Sequence, residues 1–225
     1  MLFWDWQLAG YSVTSWQLVT TSHELPMLDL RRIAALQEAC VARWHERPPD
    51  NPCDGFLHLV CEQLRFNFLL WHEEDKARDP AADDAEMARV KRSIDRLNQQ
   101  RNDWIERLDE WIAADLVHRG VAAAPAAPLN TETLGSTIDR LGILALRIYH
   151  LREQLERTDA TDEHRESVGR KLYVATVQHD DLIRAAQSLA DDLLAGRKRH
   201  QTARQLKMYN DPALNPYLQQ AAARP

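Results

Sequence analysis

From Leu28 to Arg199 apolar residues recur three and four positions apart, the period of an α-helix that buries one face. Prolines fall at the interruptions of this pattern: Pro26, then Pro48, Pro49 and Pro52, then Pro80, then Pro125 and Pro128, then Pro212 and Pro216. A proline inside a helix costs about 3 kcal/mol, so the runs between these residues are free to be continuous helices. The pattern predicts five of them: Leu28 to His45, Asp54 to Arg78, Asp83 to His118, Ser136 to Arg157, and one from the "TDATDE" break to Arg199. Asp83 followed by Glu86 has the form of a capping box that starts the third. "GVAAAPAAPLN" reads as a low-complexity connector and "KMYNDPALNPYL" as turns. No heptad persists through three repeats, which argues against a coiled coil. The expected fold is all-α, an antiparallel bundle of about five long helices with an irregular C-terminal tail. One core serves this length, so a single domain is expected over residues 27–219, with 1–26 as an extension and 220–225 as a tail.

The inward faces of these helices are not uniformly apolar. In the second helix Leu57, Val60, Cys61, Leu64, Phe68 and Trp71 form one stripe, and its continuation is His72, Asp75 and Arg78. In the third, Asn98 and Arg101 fall among Val90, Ile94, Leu97, Ile105 and Leu108, beside a flank that carries Asp95, Glu106 and Asp109. Buried amides and charges are costly without partners, so Asn98 and Arg101 call for answering groups on a neighbouring helix, with Asp75 a candidate. The fourth helix has two apolar sides, and one of them carries Asp139, His150 and Glu153.

Two helices therefore each show a histidine with a carboxylate three residues later, His72 with Asp75 and His150 with Glu153. Residues three apart share a helix face, so each pair could present one imidazole and one carboxylate to a common ion. Such a mixed set in a bundle core suits a divalent metal: zinc, iron or manganese. The competing account is a buried structural salt-bridge network, since ion networks perturb the same residue types. Arg78 and Arg101 could clamp phosphate or carboxylate oxygens, or simply pair with Asp75 and Asp95. His179, inside the stripe of the fifth helix, reads as a hydrogen-bonded core residue. "SIDRL" at 93–97 returns as "TIDRL" at 137–141, which would place Asp95 and Asp139 in matching positions if the two helices were equivalent.

Composition narrows the function classes only a little. A hydrophobic content of 44% with 28% charged residues is ordinary for a globular protein, and a net charge of -6 speaks against general nucleic-acid binding. Cys40, Cys53 and Cys61 form neither a CxxC pair nor an even set, which suits a reducing cytoplasm better than a disulfide framework. The apolar N-terminus lacks a basic leader, and no run approaches the roughly 20 apolar residues of a membrane helix.

"NFLLWHEEDKARDP", "VKRSIDRLNQQRNDWIERLDE", "LNTETLGSTIDRLGILALRIYHLREQLERTDATDEH" and "QLKMYNDPALNP" resemble, in the same order, the bacterial domain of unknown function 4254 family. The resemblance covers about residues 28–218 and implies a mostly helical protein without an established activity. Motif residues that it carries over include Trp71, His72, Asp75, Arg78, Asp95, Asn98, Arg101, Glu106, Asp139, His150, Tyr209 and Asn210. Leu64 stands where relatives often have histidine, and His179 where arginine is common. Residues 1–26 lie outside the resemblance, with Met27 the implied start. Family members often accompany cell-envelope glycosyltransferases, which implies sugar-nucleotide or glycan metabolism, or a glycosyltransferase as partner.

The expectation that follows is a cytoplasmic bundle enzyme, hydrolase-like, with a cavity for a divalent metal and a phosphorylated small molecule. Its metal ligands would be His72, Asp75, His150 and Glu153, and its catalytic carboxylates Asp75, Asp95 and Glu106. Arg78, Asn98, Arg101, Tyr209 and Asn210 would bind substrate. The rival is a non-enzymatic partner protein whose polar core is a structural network.

Overall fold

The computed structural model describes residues 28–206 and 212–222. Five long helices account for most of them: α1 (Leu30–Glu46), α2 (Gly55–Lys76), α3 (Asp84–His118), α4 (Leu134–Glu156) and α5 (Asp162–Leu194), followed by the short α6 (Pro216–Ala222). No strand occurs among the described residues, and a lone bridge between Leu129 and Arg199 ties the connector to the segment after α5. No helix among them is long and apolar enough to cross a membrane.

Short polar side chains start the helices by taking otherwise unpartnered backbone N–H groups. Asp29 accepts from Arg31 and Arg32, Asp83 from Glu86 at 2.7 Å, Thr133 from Ser136 and Thr161 from His164. The fifth helix stops at Leu194, short of the predicted Arg199. Gly196 ends it with φ +67°, and a Cβ on that residue would lie 2.6 Å from the Ala122 carbonyl oxygen. Arg199 N–H then donates to Pro128 O at 3.0 Å, so the low-complexity connector is fastened to this segment.

The core is one cluster to which all five long helices contribute. Ile33 and Leu36 of α1, Val60 and Leu64 of α2, Leu108 and Ile112 of α3, Ile138 and Leu141 of α4, and Leu189 and Leu193 of α5 are its buried members. Burial of each such side chain is worth about 1.5–3 kcal/mol against the exposed chain. A satellite cluster of Phe66, Leu70, Val90, Ile94 and Leu97 seals the first half of α3 onto α2. The central element is α4, which packs against all four other long helices and so needs two apolar sides.

Cross-helix contacts fix the directions. Arg101 meets Asp139 and Asp109 meets Gly135, so α3 opposes α4, while Glu38 with His179 and Leu30 with Gln187 oppose α1 to α5. By contrast α1, α2 and α4 run in one sense. Gln37 bonds Ile138 O while His45 reaches Tyr149, and Asn67 bonds Asp139 while His72 reaches His150. Thus the connection after α1 doubles back along the outside, where Asp50 accepts from Trp44 Nε1 at 3.1 Å and lies against Cys61. The carboxyl-terminal halves of α1, α2 and α4 consequently gather at one end of the bundle.

Candidate metal centre

Three imidazoles meet at that end: His45 from the last turn of α1, His72 from α2 and His150 from α4. A ring nitrogen of each lies within 4.8 Å of one from each of the others. Ring centroids are 5.2 Å apart for His45 and His72, 4.9 Å for His45 and His150, and 5.6 Å for His72 and His150. Aromatic neighbours hold the rings in place. Tyr149 stacks on His45 at 3.9 Å, Trp71 on His150 at 5.1 Å, and Phe68 meets His72 edge-on at 4.5 Å.

The hydrogen bonds decide what these rings offer. His45 Nδ1 lies 2.7 Å from Val41 O, and His150 Nδ1 lies 2.7 Å from the Glu153 carboxylate. Each contact requires a proton on Nδ1 when the ring is neutral, which leaves Nε2 with its lone pair. Both Nε2 atoms are buried and have no hydrogen-bond partner. A histidine held through one nitrogen by a carbonyl or carboxylate, with the other nitrogen bare, is the arrangement found at metal-bound imidazoles. His72 completes the set. Its pKa is lowered, first by burial and then by charge on His45 and His150, against the opposing pull of Asp75 and Glu153. It is therefore held in the neutral form that binds metal.

Zinc with nitrogen ligands at about 2.1 Å would require N–N separations of about 3.4 Å, so nitrogens within 4.8 Å of one another would close by up to about 1.4 Å. Three histidines on a tetrahedral ion would leave a fourth position open, the pattern of catalytic rather than structural zinc sites. The same donors suit iron or manganese less selectively.

The residues predicted as one site are distributed over several places. His72 and His150 come together. Glu153 touches the cluster through His150 rather than as a direct member. Asp75 is exposed in the last turn of α2, where no neighbouring helix covers the continuation of its stripe, and it acts on His72 only through its charge. Arg78, also exposed, donates to Glu74 Oε2 at 3.0 Å. Asp95 is exposed and paired with Lys91 at 2.5 Å, whereas Asp139 is 3% exposed, so the two halves of the pentapeptide repeat are not equivalent. Glu106 fastens the segment after α5, accepting from Arg204 at 2.9 Å and from Gln205 N–H at 2.7 Å. Burial acts to raise its pKa, and those bonds overcome it to leave the group low. Asn98 is half-buried on α3. Tyr209 and Asn210 lie outside the described residues, as does the expected extension at 1–26.

Arg101 does find a buried carboxylate, but it is Asp139 rather than Asp75. Arg101 Nε donates to Asp139 Oδ1 at 2.7 Å and its Nη2 to Oδ2. Asn67 and Gln63 donate to the same Oδ1 at 3.0 and 2.5 Å. Nearby, Gln37 donates to Ile138 O at 2.9 Å. The hydrogen bond that Arg101 donates to Asp139 raises the Arg101 pKa over the opposing effect of burial. This cluster, about three turns below His150 along α4, has both oxygens of its carboxylate bonded.

Sequence reasoning missed His45, whose position at the predicted end of a helix reads as an ordinary basic last-turn residue. A signal existed: Val41 and Trp44 are buried, and His45 lies four residues on from Val41 on that face. It also missed Gln63 and Asn67, which fall beside rather than on the apolar stripe of α2.

No match was found among curated proteins or among solved structures. Residues 57–202 match the family described as protein of unknown function (DUF4254). That span holds α3, α4 and α5 complete, almost all of α2, and two of the three histidines, and it places the chain in the DUF4254 family.

Proposed function

We propose that the chain is a metal-dependent enzyme, hydrolase-like, whose divalent ion is held by His45, His72 and His150. The observation that supports this reading is the pair of buried, unpartnered Nε2 atoms on His45 and His150, each on a ring whose Nδ1 is held by Val41 O or Glu153. Without an ion, leaving such atoms buried and unbonded costs on the order of 1–3 kcal/mol each. A bound divalent ion would supply Lewis acidity and an activated water at the open position.

The chain's own groups set the rest. Glu153 fixes the ring orientation of His150 and increases its basicity. Asp75, exposed in the last turn of α2 and acting on His72 through its charge, would take a proton from the attacking water. In a hydrolysis the water oxygen bonds to the electrophilic centre, the bond to the leaving group breaks, and the proton passes by way of Asp75 to that group. Tyr149 and Trp71 form the walls.

The test is metal content measured by elemental analysis on purified protein. One equivalent of a transition metal in the wild type, lost in His45→Ala, His72→Ala and His150→Ala while each variant stays helical by circular dichroism, is the expected result. Metal-free wild type that takes up no added Zn2+ or Co2+ sinks the reading. Cooperative destabilisation in all three variants would then favour a structural role for the polar interior, as in a partner of a glycosyltransferase.

A further inference from the structure

We propose that the open side of the tri-histidine centre accepts an uncharged or cationic ligand and rejects phosphate-bearing ones. This deepens the metal reading and rests on it. It departs from the phosphorylated substrate that the arginines in the sequence suggested, because those arginines are elsewhere: Arg78 is paired with Glu74, and Arg101 is locked on Asp139.

Two independent features make the surroundings negative. The first is backbone. The cluster is built near the carboxyl-terminal ends of three helices that point the same way, His45 one residue from the end of α1, His72 four from the end of α2 and His150 six from the end of α4. Each helix end carries about half a negative charge on its free carbonyls. A site that used helix ends to hold phosphate would need their amino-terminal ends.

The second feature is the side chains. Glu153 contacts His150 at 2.7 Å. Asp75 acts on His72 together with Glu153. Tyr149, which stacks on His45, feels the charges of Glu153, Glu46 and Glu156. Glu46, Asp75 and Glu156 are exposed and stand in the last turns of α1, α2 and α4, so each of the three helices brings a carboxylate to the rim. The cations of those last turns, Arg43 and Lys76, are each paired with a carboxylate, Asp50 and Glu73. A rim with an excess of one sign attracts the opposite charge and repels its own, and like-charge contact is a means of excluding a wrong ligand. A divalent ion and an ammonium group gain from this field, and a phosphate dianion loses.

The experiment uses Co2+ as a visible probe of the full-length protein. Co2+ is titrated into metal-free protein and its absorption recorded, and the loaded protein is then titrated with imidazole, uncharged at pH 8, or with inorganic phosphate. The same titrations follow on the Glu46→Gln/Asp75→Asn/Glu156→Gln variant, whose changes are all at exposed positions. The expected result is that imidazole perturbs the wild-type spectrum, phosphate does so at least about tenfold more weakly than in the triple variant, and the difference shrinks as salt is added. Equal phosphate affinity in wild type and variant overturns the proposal while leaving the metal centre standing. Absence of any Co2+ spectrum in folded wild type overturns the metal centre, and the proposal with it.

Discussion

Two polar clusters lie along α4, one around Asp139 and one around His150, and they differ in what their hydrogen bonds leave over. At Asp139 the charges are matched: both carboxylate oxygens are bonded to Arg101, and Asn67 and Gln63 bind the same group. The atoms left without partners there are the uncharged amide oxygens Gln37 Oε1 and Gln63 Oε1. At His150 the atoms left over are the basic Nε2 nitrogens of His45 and His150, on imidazoles that come together with His72. Equal polarity in the core therefore carries opposite meanings. A closed network holds helices in register, whereas a convergent set of bare donors calls for a ligand.

The sharpest way to break this contrast is to remove one centre from each cluster in metal-free protein. Asp139→Ala strands the Arg101 guanidinium, itself only 24% exposed, leaves Gln63 without its acceptor, and leaves Asn67 only the backbone carbonyl of residue 139 at 3.3 Å. Breaking a buried pair by deleting one partner costs about 3–5 kcal/mol. His150→Ala removes an unpartnered nitrogen and one contact with a half-exposed carboxylate, so its cost in urea unfolding should be well under half as large. Comparable losses in both variants would mean that the histidine cluster is also a structural network.

Gly142 tests the same closed cluster by shape. A Cβ there would stand 2.9 Å from Leu64 Cδ1, 3.2 Å from Gln37 Nε2 and 3.3 Å from Asn67 Nδ2. Gly142→Ala should cost about 1–3 kcal/mol by overpacking, read as a lower urea midpoint with an unchanged slope. A neutral or stabilising result would show that α4 can shift away from α1 and α2 and that the cluster is looser than its contacts indicate.

Glu153→Gln sharpens the other side. Losing the carboxylate behind a metal-bound histidine should weaken Zn2+ binding about 10- to 100-fold, with little change in metal-free stability. Competition with a chelator of known affinity reads the first quantity and thermal unfolding without metal the second. Unchanged Zn2+ affinity would reduce the Glu153 contact to a surface ion pair.

The contrast between the clusters was only half visible in the sequence, for reasons that can be traced residue by residue. The helices were legible because apolar spacing and proline placement are local, and predicted starts at Asp83 and Asp54 fall within a residue of the observed ones. His72 and His150 were legible because each continues or borders an apolar stripe. The pairing of Arg101 was not, because helical phase says which way a side chain points but not which helix receives it. The parallel sense of α1, α2 and α4 was hidden for the same reason. It depends on the 47–54 connection running back along the outside, and short breaks between helices read naturally as hairpins. Asp75 was expected among the buried ligands because of its helical phase and its spacing from His72, and phase does not register that the last turn of a helix can emerge into water.

The smallest expected effect concerns pH, and it joins the histidine centre to a second buried imidazole. His179 has its pKa lowered, mainly by burial and then by Arg152 against the pull of Asp180, and His72 is lowered as well. Both therefore take up protons more readily in the unfolded chain, whose histidines titrate near about 6.5. Where the unfolded state binds more protons, stability rises with pH, so metal-free protein should be fully stabilised above that value and lose stability as pH falls through it. Glu38, beside His179 at 3.6 Å, works in the opposite sense. Its pKa is raised by burial, with Asp180 adding and Arg152 opposing, so its contribution is present at low pH and lost as pH rises through its folded value. His179→Gln should flatten the loss of stability as pH falls through about 6.5, and Glu38→Gln should steepen the loss on acidification at pH values above about 4.5, each by less than about 1.4 kcal/mol per pH unit. Saturating Zn2+ adds a further dependence of the same sign as the histidines, because protons compete with the ion for His45, His72 and His150. If the metal-loaded and metal-free proteins lose stability in parallel on acidification, the ion is not on the imidazoles, and the two clusters of α4 differ less than their hydrogen bonds imply.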